Sequence, residues 1–383
     1  MWSSTSTKCE PFACCRRPVW SHGCVIAPAN TTLARGLAGI VGGVDPVSRR
    51  YTDEILDIGT CAGLDSVGVA PATTLWRTRA ALIERRAAGL HADMKFTYLN
   101  PERSTEPTRV AAGARAIVVG ARSYLEADPV VAESTRAHGE VARYAWRDHY
   151  APLRDSLRTV ARQLKADGYK AVVIADDNGL VDREVAYLAG IGWYGKNANL
   201  LLPGRGSWYV LGAVVTTAPL VPAPEPVADG CGACRRCLDA CPTAAIIAPG
   251  VIDANRCLAW IVQRPGTVPL EYRTAIGTRV YGCDDCQDVC PPNVRFGRPR
   301  RSHPDTMSHI DLVWLLDAPD TEILDRVGQW YIADRDLRWL RRNALVALGN
   351  VGNKSVEAIA ALERYRLGPD ELLAEHAAWA LGQ

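Results

Sequence analysis

No stretch of this 383-residue chain approaches the roughly 20 consecutive apolar residues that a membrane-spanning helix needs, so no membrane partner is expected. Its start also lacks the charged segment, apolar core and cleavage site of an export signal, and a cytoplasmic protein is expected. Net charge is nearly absent: 44 Lys and Arg stand against 42 Asp and Glu, leaving +2. A general electrostatic field therefore cannot recruit a polyanion, and any nucleic-acid surface must be a local patch. With 48% apolar and 22% charged residues the composition is ordinary for globular domains. The length allows two or three of them.

What the chain has instead is cysteine, concentrated in one place. Eight lie between Cys231 and Cys290. The first block, Cys231 to Pro242, reads C-G-A-C-R-R-C-L-D-A-C-P, then comes a lone Cys257, then C-D-D-C-Q-D-V-C-P from Cys283 to Pro291. C-x2-C-x2-C-x3-C-P is the bacterial ferredoxin run that ligates 4Fe–4S clusters, and its fourth cysteine serves the other cluster of a pair. Eight thiolates complete two cubane sites with none left over. Zinc sites pair two C-x2-C knuckles and have no use for the third cysteine or the closing Cys-Pro. A disulfide framework fits poorly in a chain without an export signal. Four of the other five cysteines, Cys9, Cys14, Cys15 and Cys24, fall in residues 1–50, which show no helical or strand period and read as an unstructured or non-native extension; Cys61 is the fifth.

Globular patterning is expected from about Tyr51. A helix leads into the apolar run Ser66–Ala70, and residues 74–90 have helical spacing. The β-branched runs 116–120 and 171–175 are separated by a helix over 151–167, and 208–215 adds a further strand. Alternating strands and helices point to an α/β domain over 51–218. Pro219, Pro222, Pro224 and Pro226 mark a stiff linker. A ferredoxin-like module follows, within 219–302, and the remainder, 303–383, is helical in pattern. There Ala344-x-x-Ala347-Leu348-Gly349 recurs 33 residues later as Ala377-x-x-Ala380-Leu381-Gly382, which suggests stacked HEAT-like helix pairs.

Electron carriage alone does not need the first 220 residues, so they are expected to hold what receives the electrons. The segment Ala175-Asp176-Asp177-Asn178-Gly179-Leu180-Val181-Asp182-Arg183 follows a strand end, where α/β sheets place ligands and acids. Gly190, Gly192 and Gly195 would let backbone pass close to a bulky group, with Lys196 beside them. Equally, Asp176 and Asp177 serve as helix caps in the plainer reading.

The segments 176–197 and 231–242, together with Tyr281-Gly282-Cys283-Asp284-Asp285-Cys286-Gln287, resemble the epoxyqueuosine reductase family. So do Cys257-Leu258-Ala259-Trp260, Val268-Pro269-Leu270-Glu271 and Arg341–Asn350. The resemblance covers roughly residues 52–383. It implies a tRNA-modifying enzyme with an α/β cobalamin-binding domain, two 4Fe–4S clusters and a HEAT-like tail. Its reaction would reduce epoxyqueuosine at the wobble position to queuosine, the final step in making that nucleoside, using cob(I)alamin fed by the clusters. The substrate would be a tRNA with a GUN-type anticodon, the electron source an unidentified low-potential donor, and the protein a monomer.

By the same resemblance, Asp176 is the proton donor to the epoxide oxygen, with Asp177 and then Asp182 as the next candidates. Cys231, Cys234, Cys237 and Cys290 would hold one cluster, and Cys241, Cys257, Cys283 and Cys286 the one nearer cobalamin. Cobalamin contacts are expected from Arg103, Tyr144, Asp176, Lys196, Asn197 and Ala259. Arg143–Tyr150 resembles the family's Tyr-x-x-Gly-Arg-Asp-Tyr-His segment, lacking its glycine and swapping the last two residues. No histidine lies in a cobalt-ligand motif, so no protein axial ligand is expected.

Two basic stretches are candidates for RNA phosphates: Arg295, Arg298, Arg300 and Arg301, and a helical face with Arg335, Arg338, Arg341 and Arg342. The plainer reading is a solvated face paired with acids. Three other functions compete with the main reading: a dicluster electron-transfer protein, a dehalogenase-like corrinoid reductase, and a helical-repeat binding protein whose clusters are structural.

Overall fold

The computed structural model describes residues 46–129, 136–352 and 355–383; the expectations for residues 1–45, including Cys9, Cys14, Cys15 and Cys24, lie outside them. Structure begins earlier than the patterning suggested. Helix α1, Pro46–Cys61, buries Thr52, Ile55 and Gly59. Its proline occupies the first turn, where a missing N–H costs nothing.

Four strands form one sheet: β1 (Ser66–Pro71), β2 (Ala116–Ser123), β3 (Ala171–Ile174) and β4 (Tyr209–Thr216). Their spatial order is β1-β2-β4-β3. Strands alternate with helices as expected, yet every pairing in this sheet is antiparallel. The central strands are the most apolar, and Ile117, Val118, Val119, Val214 and Val215 are fully buried. Helix α2, Tyr150–Ala166, covers one face with Leu153, Leu157, Val160 and Leu164. Gly120 and Gly212 stand opposite each other across the β2–β4 pair. A Cβ on Gly212 would lie 2.7 Å from Leu157 and one on Gly120 3.3 Å from it, so the two glycines open the slot that Leu157 fills. Helix α3, Asp182–Leu188, covers the other face with Val185 and Ala186. It is pinned by buried Glu184, which accepts from Arg77 (2.7 Å) and Tyr194 (3.1 Å).

The proline-rich stretch is docked on the sheet domain rather than spanning free space. Ala218 and Leu220 join the α2 face of the core, Val221 N donates to Thr52 Oγ1, and Ala223 N donates to Val69 O at the β1 edge. Beyond it the cysteine segment includes two short helices, α4 (Leu258–Ile261) and α5 (Pro291–Phe296).

The tail contains helices α6 (Arg338–Val351), α7 (Val356–Arg366) and α8 (Glu371–Leu381). A Cβ on Gly349 would sit 2.8 Å from Ala380 Cα and 3.1 Å from the Trp379 ring. The two copies of the Ala-Leu-Gly repeat thus face each other, and their small residues allow the close approach. The tail's core is shared with the rest of the chain: Val141, Trp146, Val280 and Tyr281 pack with Leu312, Trp330 and Leu345. A three-stranded sheet of His138–Val141, Arg279–Tyr281 and His309–Asp311 ties the three regions together.

Candidate redox and acid–base site

The eight cysteines separate into two neighbouring groups of four. Cys231, Cys234, Cys237 and Cys290 line one cavity of about 110 Å³ with Trp193, Lys196, Asn197, Pro291 and Pro292. Burial pushes the Cys290 thiol up to about 11, and Cys231, Cys237 and Cys234 add to the shift. Cys257, Cys283 and Cys286 lie deeper. Burial raises all three thiols, Cys283 to about 12, and each is raised further by a neighbour within the set that Cys241 completes. Cys286 also feels Cys237 across the gap, so the groups adjoin.

Local geometry explains the arrangement. Gly282 has φ +75°, and a Cβ there would meet Ala142 at 2.5 Å and Tyr144 at 2.9 Å, so only glycine brings the chain into Cys283. Cys257 is the residue before α4, and Cys290 the residue before α5. Ala245 N donates to Cys241 Sγ at 3.3 Å. Lys196 Nζ donates to the carbonyls of Gly232 (2.7 Å) and Cys234 (2.8 Å), and Asn197 Nδ2 to that of Cys286 (3.1 Å). Lys196 and Asn197 thus brace the cysteine loops. Trp193 carries a buried Nε1 without a hydrogen-bond partner, which suits a cavity occupant with acceptor atoms such as sulfide. Among the described residues no three His, Cys, Asp or Glu side chains converge on one point as a single metal ion requires. Four thiols spread around a cavity fit a cluster better.

Asp176 follows β3 with φ +56°, a left-handed conformation that costs a non-glycine residue energy and is common where function fixes the backbone. Its loop is tied down by Asp177 Oδ1, which accepts from Gly179 N (2.6 Å), and by Asn178 O, which accepts from Ser104 Oγ (2.8 Å). Asp176 is solvent-exposed, yet burial raises its pKa, followed by the nearby Asp182 charge, with Asp148 and Asp177 adding to it. Burial also raises Asp182, Tyr144 and Tyr150, although each keeps accessible surface. The mutual influence of Asp176, Asp182, Tyr150 and Tyr144 gathers them in one neighbourhood. Tyr150 and Tyr281 both feel Asp176. The Arg183 charge acts both on its chain neighbour Asp182 and on Cys257, which it lowers. A concavity of about 660 Å³, lined by His138, Trp146, Arg147, Asp148, His309 and Arg326 among others, includes Asp148, whose charge acts on Asp176.

Of the expected cofactor contacts, Tyr144 lies beside Tyr281 and Tyr150 and accepts from Gln263 Nε2 at 2.7 Å. Ala259 lies in α4, just after Cys257. Arg103 is exposed on a short helix, Pro101–Ser104, beside the Asp176 loop. Tyr150, Tyr281 and Trp193 were missed because aromatic residues usually read as core. The swapped Asp-His-Tyr order was the available signal: it buries His149 against Tyr124 and puts Tyr150 at the carboxylates.

The tail arginines do not form one exposed face. Arg335 sits in a turn and donates to the carbonyls of Gly328 and Trp330. Arg338 pairs with Asp336 and Arg341 with Asp320. Arg342 is fully buried. In the other stretch, Arg300 is held by both oxygens of Asp65 (2.8 and 2.7 Å).

Residues 230–293 match the 4Fe-4S double cluster binding domain. An epoxyqueuosine reductase of Bacillus anthracis is 34% identical over 346 residues, 86% of this chain and 88% of that protein. One from Pseudomonas aeruginosa is 34% identical across 88% of this chain and 95% of its own length. Among solved structures, an epoxyqueuosine reductase with an epoxyqueuosine-modified tRNA-Tyr stem loop aligns with TM-score 0.80 at 31% identity, covering 87% of this chain and 90% of that one. The Streptococcus thermophilus enzyme gives 0.79 at 30%, covering 86% and 89%. A cysteine module with paired thiol groups, and relatives alike over nearly the whole length, agree: the chain belongs to the epoxyqueuosine reductase family.

Proposed function

We propose that this protein reduces epoxyqueuosine to queuosine in tRNA, at the wobble position of a GUN-type anticodon, with two 4Fe–4S clusters and cobalamin as cofactors. The observation that carries the reading is a set of eight thiols, four of them around one cavity, in a chain that also brings Asp176 and Asp182 together beside Arg183, whose charge reaches Cys257. The overall change is epoxide plus two electrons and two protons to alkene plus water. When bound, the clusters and the corrinoid supply low-potential electrons and a reduced metal centre. The protein's task is to hold the epoxide, exclude water and deliver protons. Asp176 is the acid: burial and the Asp182 charge raise its pKa, which favours the protonated form that can give a proton to the ring oxygen.

The thiol groups support ligation of one cluster by Cys231, Cys234, Cys237 and Cys290 and of the other by Cys241, Cys257, Cys283 and Cys286. Tyr144, in the neighbourhood of the carboxylates, and Ala259, two residues after Cys257, support a corrinoid in this region; Arg103 stands on the short helix beside the Asp176 loop, while Lys196 and Asn197 act through the cysteine loops. The cationic residues of the adjoining concavity support entry of an anticodon loop from that side. We read residues 51–218 as the cobalamin-binding domain, 219–302 as the dicluster module and 303–383 as a HEAT-like tail. The protein would act as a monomer in the cytoplasm. Among the described residues no helix is long and apolar enough to cross a membrane.

The test is anaerobic reconstitution with iron, sulfide and cobalamin, addition of a strong reductant, and mass analysis of the nucleosides of a substrate tRNA. Loss of one oxygen from epoxyqueuosine is expected. An unchanged nucleoside with all cofactors loaded would remove the proposal.

A further inference from the structure

Electrons for the cysteine module come from outside the chain, and the structure offers them one side. Cys257 of the second group precedes α4 and feels the charge of Arg183, the chain neighbour of Asp182. The other group is capped by its own loop, in which Gly232, Ala233, Arg235 and Arg236 are exposed. Cys290 leads into α5, whose Val294 and Phe296 are 68% and 37% exposed, and Arg295 and Arg298 flank them in the open. Arg235 pairs with Asp239 at 3.6 Å. Arg236, Arg295 and Arg298 have no acidic partner among the described residues, although Arg298 donates to the carbonyls of Arg295 and Gly297.

We propose that the surface flanking the Cys231–Cys290 cavity, with Arg236 beside Cys237 on one side and Val294, Arg295, Phe296 and Arg298 just beyond Cys290 on the other, docks a small acidic one-electron carrier protein whose redox centre lies at its own surface. Exposed apolar residues among unpaired cations are the composition of a transient interface that selects partners by charge. RNA is the weaker occupant. Each epoxide consumes two electrons, and an RNA seated here would cover the outer cluster while its own substrate base awaited them. The proposal rests on the reading that the module carries electrons.

The test mixes anaerobic, reconstituted protein with an acidic flavodoxin in its hydroquinone form and follows bleaching of the clusters' visible absorbance. The rate constant is expected to fall steeply with added salt, and by about tenfold or more in the double variant Arg236→Glu, Arg295→Glu. Reduction by dithionite, which needs no docking, and iron content should match the parent. A variant rate within twofold of the parent overturns the proposal; if that variant has also lost affinity for a tRNA stem loop, the patch belongs to RNA. Should the variant fail to load iron, the parent decides, since a salt-independent rate with flavodoxin overturns the proposal equally. Parent clusters that resist dithionite would instead sink the electron-carrying reading.

Discussion

Arg342→Met separates a phosphate-binding arginine from a structural one. The Arg342 guanidinium is fully buried in α6 and faces no carboxylate. It donates to the carbonyls of Ile261 (3.0 Å), Arg264 (2.9 Å) and Gly266, and to Asn343 Oδ1. Asn343 extends the same brace to the carbonyls of Val262 and Val280. The Arg342 acceptors lie at the end of α4 and in the turn after it, and α4 begins just after Cys257. Leaving three carbonyls, one buried and two half-buried, without this donor costs up to about 1–3 kcal/mol each. Relief of the desolvation that burying a cation demands, which holds its pKa down to about 9, returns part of that. The expected net loss is about 2–4 kcal/mol, a large share of the roughly 5–15 kcal/mol a domain possesses. Denaturant unfolding of the reconstituted protein measures it, with iron content and cluster absorbance as local readouts. Both should fall, the site containing Cys257 being the one loosened. If Arg342→Met kept its iron and unfolded within about 0.5 kcal/mol of the parent but bound a tRNA stem loop weakly, the bracing role would be refuted.

Asp176→Asn should lower turnover about 100- to 10,000-fold with iron and cobalamin content unchanged; intact turnover would dismiss the assigned acid. Because the Asp176 pKa is raised, activity should decline as pH rises through that raised value, and a pH–rate profile would detect the limb. Asp182 binds its proton more tightly folded than unfolded, so it costs stability as pH climbs from the ordinary carboxylate range through the raised value. Asp182→Asn should therefore melt higher than the parent at neutral pH, with the difference vanishing in acid. Gly282→Val forces a branched side chain into φ +75° against Ala142 and Tyr144; loss of about 2–5 kcal/mol and of iron is expected, whereas a fully loaded variant would show that Cys283 tolerates another backbone path.

The cysteine spacing was legible because ligation fixes residue separation along the chain, independent of tertiary packing. The strands were legible too, since β-branched runs such as Ile117–Val119 in β2 and Val172–Ile174 in β3 have few other uses. Pairing direction was not: strand–helix alternation is shared by parallel and antiparallel solutions, and β4 inserts between β2 and β3 from forty residues downstream. The tail arginines misled for a related reason. Spacing places Arg338, Arg341 and Arg342 on a helix but says nothing of what packs beside it. The acids that pair two of them come from Asp336 and Asp320, and the carbonyls that take the third lie some eighty residues upstream. The start of α1 at Pro46 was hidden by the polar Ser48-Arg49-Arg50, which faces solvent and carries no period.

The tail's contribution to chemistry follows from what it holds. The Tyr281 ring, close enough to Asp176 to feel its charge, stacks on Trp330 at 4.3 Å and 17°. Its hydroxyl donates to Tyr331 O at 3.1 Å. Trp330 in turn donates through Nε1 to Ala145 O at 2.9 Å, beside Tyr144. One aromatic stack thus links the tail, the strand that delivers Cys283, and the segment that carries Asp148 and Tyr150. Removing any one of the three leaves the other two without their packing surface, and the core they share has no boundary at which to cut. The helical tail therefore backs the tyrosine that feels Asp176, and whatever it contributes to binding RNA comes in addition to that.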